Sequence, residues 1–103
     1  MLYELRIYGI AEGKMDKILT FMRDTNLRFF KKHGFGIEGM WIPADDNSKY
    51  YYLLSFEDLA DKEAKWAAFY AEPDWAKEQE ALDLRDTVTS VESYLMERVP
   101  FLD

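Results

Sequence analysis

The chain has 103 residues, 49% of them hydrophobic and 17% aromatic, enough for one domain over residues 1–103 with its own core. With 13 Lys and Arg against 20 Asp and Glu, the formal charge of −7 lacks the cationic surface that nucleic acid requires and disfavours anionic membranes. Cysteine is absent, which excludes disulfides, thiolate nucleophiles and cysteine-ligated metals and is compatible with a cytoplasmic setting.

Leu2 to Gly9 alternates as a strand and runs into the turn signal Ala11-Glu12-Gly13. The same segment has neither the basic-then-apolar pattern of an export signal nor an Arg/Ser-rich presequence, so neither is expected. No apolar run approaches the roughly 20 residues of a membrane span. Lys14 to His33 is free of Pro and Gly, and Met15, Ile18, Leu19, Met22, Phe29 and Phe30 recur at helical spacing. An amphipathic helix ending at Gly34 is predicted. Phe35 to Pro43 and Lys49 to Phe56 predict two strands, joined by the polar turn Ala44-Asp-Asp-Asn-Ser48. Asp58 is placed to cap a helix over Leu59 to Tyr70, with Asp61 favourable to its dipole. Glu72-Pro73-Asp74 starts a further short helix, with Trp75, Gln79 and Leu82 facing inward. Val88 to Val99 alternates loosely, with Val91, Ser93 and Leu95 on one side and Glu92, Tyr94 and Met96 on the other, a fourth strand before Pro100. The order β-α-β-β-α-(α)-β predicts an α+β, ferredoxin-like fold on a four-stranded antiparallel sheet.

Helices of these lengths cover one face of such a sheet, and the other should read polar if it meets water. It does not: Tyr50, Tyr52, Leu54 and Phe56 are opposed by Tyr51 and Leu53, and Tyr3, Leu5 and Ile7 by Leu2 and Tyr8. A homodimer joined through its sheet faces, sharing a barrel-like core with the helices outside, is the expected cover. The alternative puts the tyrosines at a half-wet rim.

The segments YELRIYGIAEGKMDKIL, KKHGF, GMWIP, LLSFEDLADKEA and AEPDWAK together resemble the NIPSNAP domain, of the dimeric α+β barrel superfamily, over essentially the whole chain. The resemblance implies the fold and the dimer but no defined reaction. It also sets two departures apart: third strands in that family often carry a His and a Trp two residues apart, where this chain has Tyr52 and Leu54, and Lys62 stands where an Arg is usual.

Candidate ligand-binding residues are His33, Asn26, Arg6, Tyr8, Trp66 and Tyr52. Asn26 and His33, the one histidine, share the helix stripe that faces the sheet, so each is either satisfied locally or lines a cavity. For His33 two readings stand: the end of a helix, followed by Gly34, or a pocket group able to accept a proton. Arg6 and Tyr8 share a face of the first strand with Glu4. Arg6 either pairs with a carboxylate such as Glu4, Glu92 or Glu38, or anchors a small carboxylate ligand. Trp41, Trp66 and Trp75 are assigned to the core, Trp66 alternatively to stacking on a flat ligand. The expected pocket is bounded by His33, Asn26, Arg6 and Trp66.

No metal site is expected from one histidine without cysteine, no phosphate loop from Gly34-Phe-Gly36 ahead of a strand, and no catalytic carboxylate pair from the scattered acids. No cofactor is expected. The leading functional expectation is a NIPSNAP-type homodimer with a small-molecule pocket between helices and sheet. By analogy with other dimeric α+β barrels, the alternative is a cofactor-independent monooxygenase or isomerase on an aromatic or polyketide-like substrate. Haem binding ranks below both, since the enzymes it would resemble use an Asn, a His and a Trp and the first strand here has no Asn.

Overall fold

The computed structural model describes residues 1–102. Four strands, β1 (Leu2–Ile10), β2 (Gly36–Trp41), β3 (Lys49–Phe56) and β4 (Val88–Glu97), form an antiparallel sheet in the order β2-β3-β1-β4. β2 is shorter than its apolar run predicts. Phe35 turns inward against Phe30, and Ile42-Pro43 falls outside the ladder, where proline has no N–H to give.

The first helix is one continuous rod in three parts: α1 (Met15–Phe21), a π-helical segment (Met22–Asn26) and α2 (Leu27–Lys32). The π segment has a cause in the sequence. Buried residues repeat every fourth position as Ile18, Met22, Asn26, Phe30 and as Phe21, Thr25, Phe29. At 3.6 residues per turn such a series drifts about 40° per step around a straight α-helix. A wider turn in the middle takes up the drift, so both ends of the rod face the sheet. The rod stops as predicted: Gly34 takes φ +76°, and its N–H and that of Phe35 bond back to the carbonyls of Lys31 and Phe30.

Asp58 caps α3 (Leu59–Tyr70) by accepting from the Asp61 N–H at 2.8 Å, and Asp61 in turn accepts from the Glu57 N–H at 2.9 Å. Helix α4 (Pro73–Leu82) follows with Pro73 in its first turn. Among the described residues no helix is long and apolar enough to cross a membrane.

The core lies between helices and sheet. Tyr50, Tyr52, Leu54 and Phe56 of β3 meet Ile18, Met22, Phe29 and Phe30 of the first helix and Trp66 and Phe69 of α3. Rings do most of the filling, with Phe30 against Phe35, Tyr52, Trp66 and Phe69 at centroid distances of 4.8–6.0 Å. The register places the even residues of β1 on this face, since Glu4, Arg6 and Tyr8 stand opposite Leu54, Tyr52 and Tyr50.

The odd residues form the outer face: Tyr3, Leu5 and Ile7 beside Tyr51 and Leu53, flanked by Tyr94, Met96 and Trp41. Trp41 is 52% exposed there, not in the core as expected, because its strand position pairs with Tyr51 and turns it away from the helices. Its indole lies over Gly39, where a side chain would collide with it.

Candidate functional site

Strand β1 carries the polar centre of the molecule. Glu4 is 1% exposed, and its carboxylate accepts from the Trp66 indole N–H at 2.7 Å, the Ser93 hydroxyl at 2.6 Å and the Arg6 guanidinium at 3.1 Å. Burial alone pushes its pKa up, but the donors Ser93, Trp66 and Arg6 together outweigh it and hold the group below the usual carboxylate range. Arg6 is the partner, and the cross-strand acids are not. Glu92 stands opposite Ile7 on the outer face and accepts from Tyr94, while Glu38 is exposed at an irregularity in the β2 ladder.

The Arg6 guanidinium also donates from Nε to the Tyr52 hydroxyl at 2.7 Å, reaches the Tyr8 hydroxyl from Nη2 at 3.4 Å and lies 4.6 Å from the Trp66 ring centroid. The hydroxyls of Tyr8 and Tyr52 are 2.7 Å apart. Burial pushes the Tyr52 hydroxyl well above its ordinary pKa, so it is a neutral phenol near neutral pH. Burial disfavours the Arg6 cation, but Tyr52, Tyr8 and Glu4 more than offset it and it stays charged.

Beside this network lies a cavity of about 240 Å³ between the first helix, α4 and strands β1 and β4. Arg6, Tyr8, Asn26, Tyr70 and Gln79 are its polar lining, and Ile18, Phe21, Trp75, Leu84, Val88 and Val91 its apolar walls. Wider surface depressions exist: one of about 670 Å³ around Met1, Tyr3 and Glu57 is lined chiefly by exposed side chains, and one of about 660 Å³ beside Leu19, Leu27 and Met40 is mainly apolar, and neither gathers a buried polar cluster.

Three of the six predicted residues therefore line one cavity: Arg6, Tyr8 and Asn26. Tyr52 is fully buried and acts on the cavity only through Tyr8 and Arg6. Trp66 is not at the cavity edge, because its N–H is taken by Glu4 and its ring by Arg6 and a stacked Tyr70 at 5.4 Å. His33 is also outside. It stands at the end of α2, where Nε2 meets Glu72 Oε1 at 2.7 Å beside a Lys32 contact of the same length. Lys32 first and His33 second hold the Glu72 carboxylate below the usual range.

Asn26 accepts at Oδ1 from the Trp75 indole N–H at 2.7 Å and donates to Met22 Sδ at 3.1 Å. Trp75 and Leu82 are half-buried as expected of the inner face of α4, while Gln79 is exposed at the cavity. Tyr70, Gln79 and the Glu4 and Ser93 support were not among the predicted site residues. Gln79 was expected on the inner side of its helix and Glu4 as one possible partner of Arg6, and on β1 the trace is parity, because Glu4, Arg6 and Tyr8 alternate with apolar residues.

A family model matches residues 3–103 and is that of NIPSNAP. The chain belongs to the NIPSNAP family. A NIPSNAP family protein of unknown function from Agrobacterium tumefaciens is 22% identical over 99% of this chain and 91% of its own, with a TM-score of 0.87. An uncharacterized NIPSNAP domain protein from Burkholderia xenovorans is 20% identical over 100% and 99%, with a TM-score of 0.85. An antibiotic biosynthesis monooxygenase is similar in fold, with a TM-score of 0.71 at 14% identity over 97% and 100% of the two chains. No curated protein matches the sequence. The NIPSNAP assignment and the ferredoxin-like α+β fold expected from the sequence are both upheld.

The Glu4 cluster predicts an acid-sensitive fold. A folded-state pKa below the unfolded one means that its contribution is complete above the ordinary Glu value of about 4.3 and is lost as the pH falls through that value to the lower folded one. Urea denaturation of Glu4→Gln should show a loss of roughly 3–5 kcal/mol at neutral pH, as for a broken buried pair, and a flatter dependence on pH in that acidic window. His33→Ala, by contrast, should reduce stability by about 1 kcal/mol or less in the same urea denaturation.

Proposed function

We propose that this NIPSNAP protein is a homodimer, formed through the outer sheet faces, that binds a small molecule in the cavity beneath α4. The observation that carries the binding reading is convergence: a guanidinium, a phenol and a carboxamide meet on one apolar-walled cavity of about 240 Å³. Pockets for drug-sized ligands run at about 300–1,000 Å³, so this one suits a body the size of a single ring. Support for the dimer is the outer face, where Trp41 and Tyr94 are about half exposed at 52% and 49% and Leu5, Ile7, Tyr51 and Leu53 lie between them. A flat apolar sheet face of that kind is matched by a second copy of itself at ordinary sheet-packing distance.

The monooxygenase-like reading rests on the fold likeness alone. The cavity lining contains no carboxylate and no imidazole, so its groups hold and orient a ligand and supply no evident base. Haem binding is weaker still, because the sole histidine is engaged with Glu72 and lies outside the lining. A cytoplasmic location is compatible with the cysteine-free sequence.

Two experiments separate the parts of this reading. Sedimentation equilibrium should give a dimer at micromolar concentration and a monomer for Leu53→Glu, and a folded wild-type monomer would remove the dimer. Thermal-shift screening with single-ring fragments should raise the melting temperature of the wild-type chain by mass action. Val91→Trp, which fills the cavity from β4, should abolish those shifts, and shifts that persist would place binding elsewhere.

A further inference from the structure

Resting on the reading that the cavity binds a ligand, we infer that this ligand carries an anionic oxygen, a carboxylate or phenolate, on a single-ring apolar body. The direction of each hydrogen bond carries the inference. Tyr52 is fully buried, and its oxygen accepts the Arg6 Nε–H at 2.7 Å. Its own proton has one acceptor within reach among the described residues, the Tyr8 oxygen at 2.7 Å. Were Tyr8 the donor, the Tyr52 proton would be buried without a partner, which native structures avoid. Tyr52 therefore donates to Tyr8.

The Tyr8 oxygen thus receives Tyr52 and, more distantly, Arg6 at 3.4 Å, and the Tyr8 proton has no protein acceptor among the described residues. Tyr8 lines the cavity, so that proton is offered to it. Donors feeding into a phenol oxygen also make it a stronger donor itself.

The same accounting holds for its neighbours. A guanidinium has five N–H groups; Arg6 directs three of them at Tyr52, Glu4 and Tyr8 and a fourth toward the Tyr70 hydroxyl, which leaves one. Indole nitrogen only donates, so Trp75 fixes the Asn26 oxygen as an acceptor and turns the amide nitrogen the other way. One Asn26 hydrogen goes to the Met22 sulfur, a weak acceptor, and the other is unassigned. Arg6 and Tyr8 therefore present N–H and O–H groups to a space whose lining holds no carboxylate, while the Asn26 amide nitrogen is turned toward Met22, outside that lining. Glu4, the counter-charge to Arg6, is outside that lining and is engaged by three donors of its own. Charge-assisted hydrogen bonds are roughly twice as strong as neutral ones, so an anionic oxygen fits this donor set best.

Calorimetric titration of the full chain with matched probes tests the inference: benzoate against benzamide, and 4-nitrophenol on either side of its own ionisation. The anionic form of each pair should bind roughly tenfold or more tightly than the neutral one, as expected of hydrogen bonds to a charged group. Tyr8→Phe should reduce that preference with little effect on benzamide. Equal binding of anionic and neutral forms, blocked by Val91→Trp, would overturn the anion assignment and leave the cavity reading standing. Binding that survives Val91→Trp would overturn both. The wild-type comparison needs no variant, so an unstable Tyr8→Phe leaves the test decisive.

Discussion

A carboxylate removed from water costs several kcal/mol, and the Glu4 carboxylate is removed almost entirely. The fold meets that demand from three places at once: Trp66 descends from α3, Ser93 comes from the neighbouring strand β4, and Arg6 from two positions along β1 itself. Each donor then constrains its own surroundings. The Trp66 bond fixes α3 over the sheet in one position, and the ring so placed becomes the surface on which Arg6 lies. Arg6 in turn orients the Tyr52 and Tyr8 hydroxyls. The direction of a proton at the cavity therefore traces back through four side chains to one buried charge.

Around that centre the helix face of the sheet is dry for a simpler reason, aromatic volume. Phe30, Phe35, Trp66 and Phe69 pack edge to face and stacked within about 6 Å of one another. The outer face has the same kind of side chains, and among the described residues its one ring covered by a cation of the same chain is Tyr3, under Arg98. A sheet with polar residues outside would be complete as a single layer of strands under helices. One with Tyr3, Leu5, Ile7, Tyr51 and Leu53 outside leaves an apolar face for a second layer, and the layer we propose is a second copy.

Much of the fold was legible because the apolar periods agree with the turn signals. The bounds of β3 and α3 follow from KYYYLLSF and from the Asp58 cap, and the two-sided apolar character of β1 and β3 could be read by parity. The π segment was equally present as a four-residue repeat from Ile18 to Phe30, but an assumed 3.6-residue period spreads that repeat around the helix and hides it. The same assumption carried His33 onto the sheet-facing stripe beside Asn26. The wider turn shifts the phase after Met22, and the rod ends with His33 toward the start of α4, where Glu72 waits. Trp66 was aimed correctly at the sheet. What no spacing reveals is that Glu4, sixty-two residues away, occupies its N–H and that Arg6 covers its ring. Parity on β1 and the helix stripe bring Arg6, Tyr8 and Asn26 to one cavity, and the contacts that no spacing shows are those where two distant elements meet.

Why an opening persists in this position follows from how α4 is held. That helix buries no residue fully. It is joined to the first helix mainly by polar contacts spaced along both: Glu72 to Lys32 and His33, Trp75 to Asn26, and Glu78 to Thr25 and Arg28. Polar side chains of that length keep two helices apart where interlocking apolar ones would draw them together, and the gap between α4 and the sheet is the cavity. Trp75 closes one end by packing on Phe69 and Tyr70, and Lys17 ties the other by donating to the Asp83 carbonyl at 2.7 Å. Exposed ion pairs contribute little each, so α4 is held less firmly than α3, which is anchored by buried Trp66 and Phe69. The rigid half of the cavity is therefore the β1 network that aims the donors, and the more weakly held half is the helix beside which a ligand would enter.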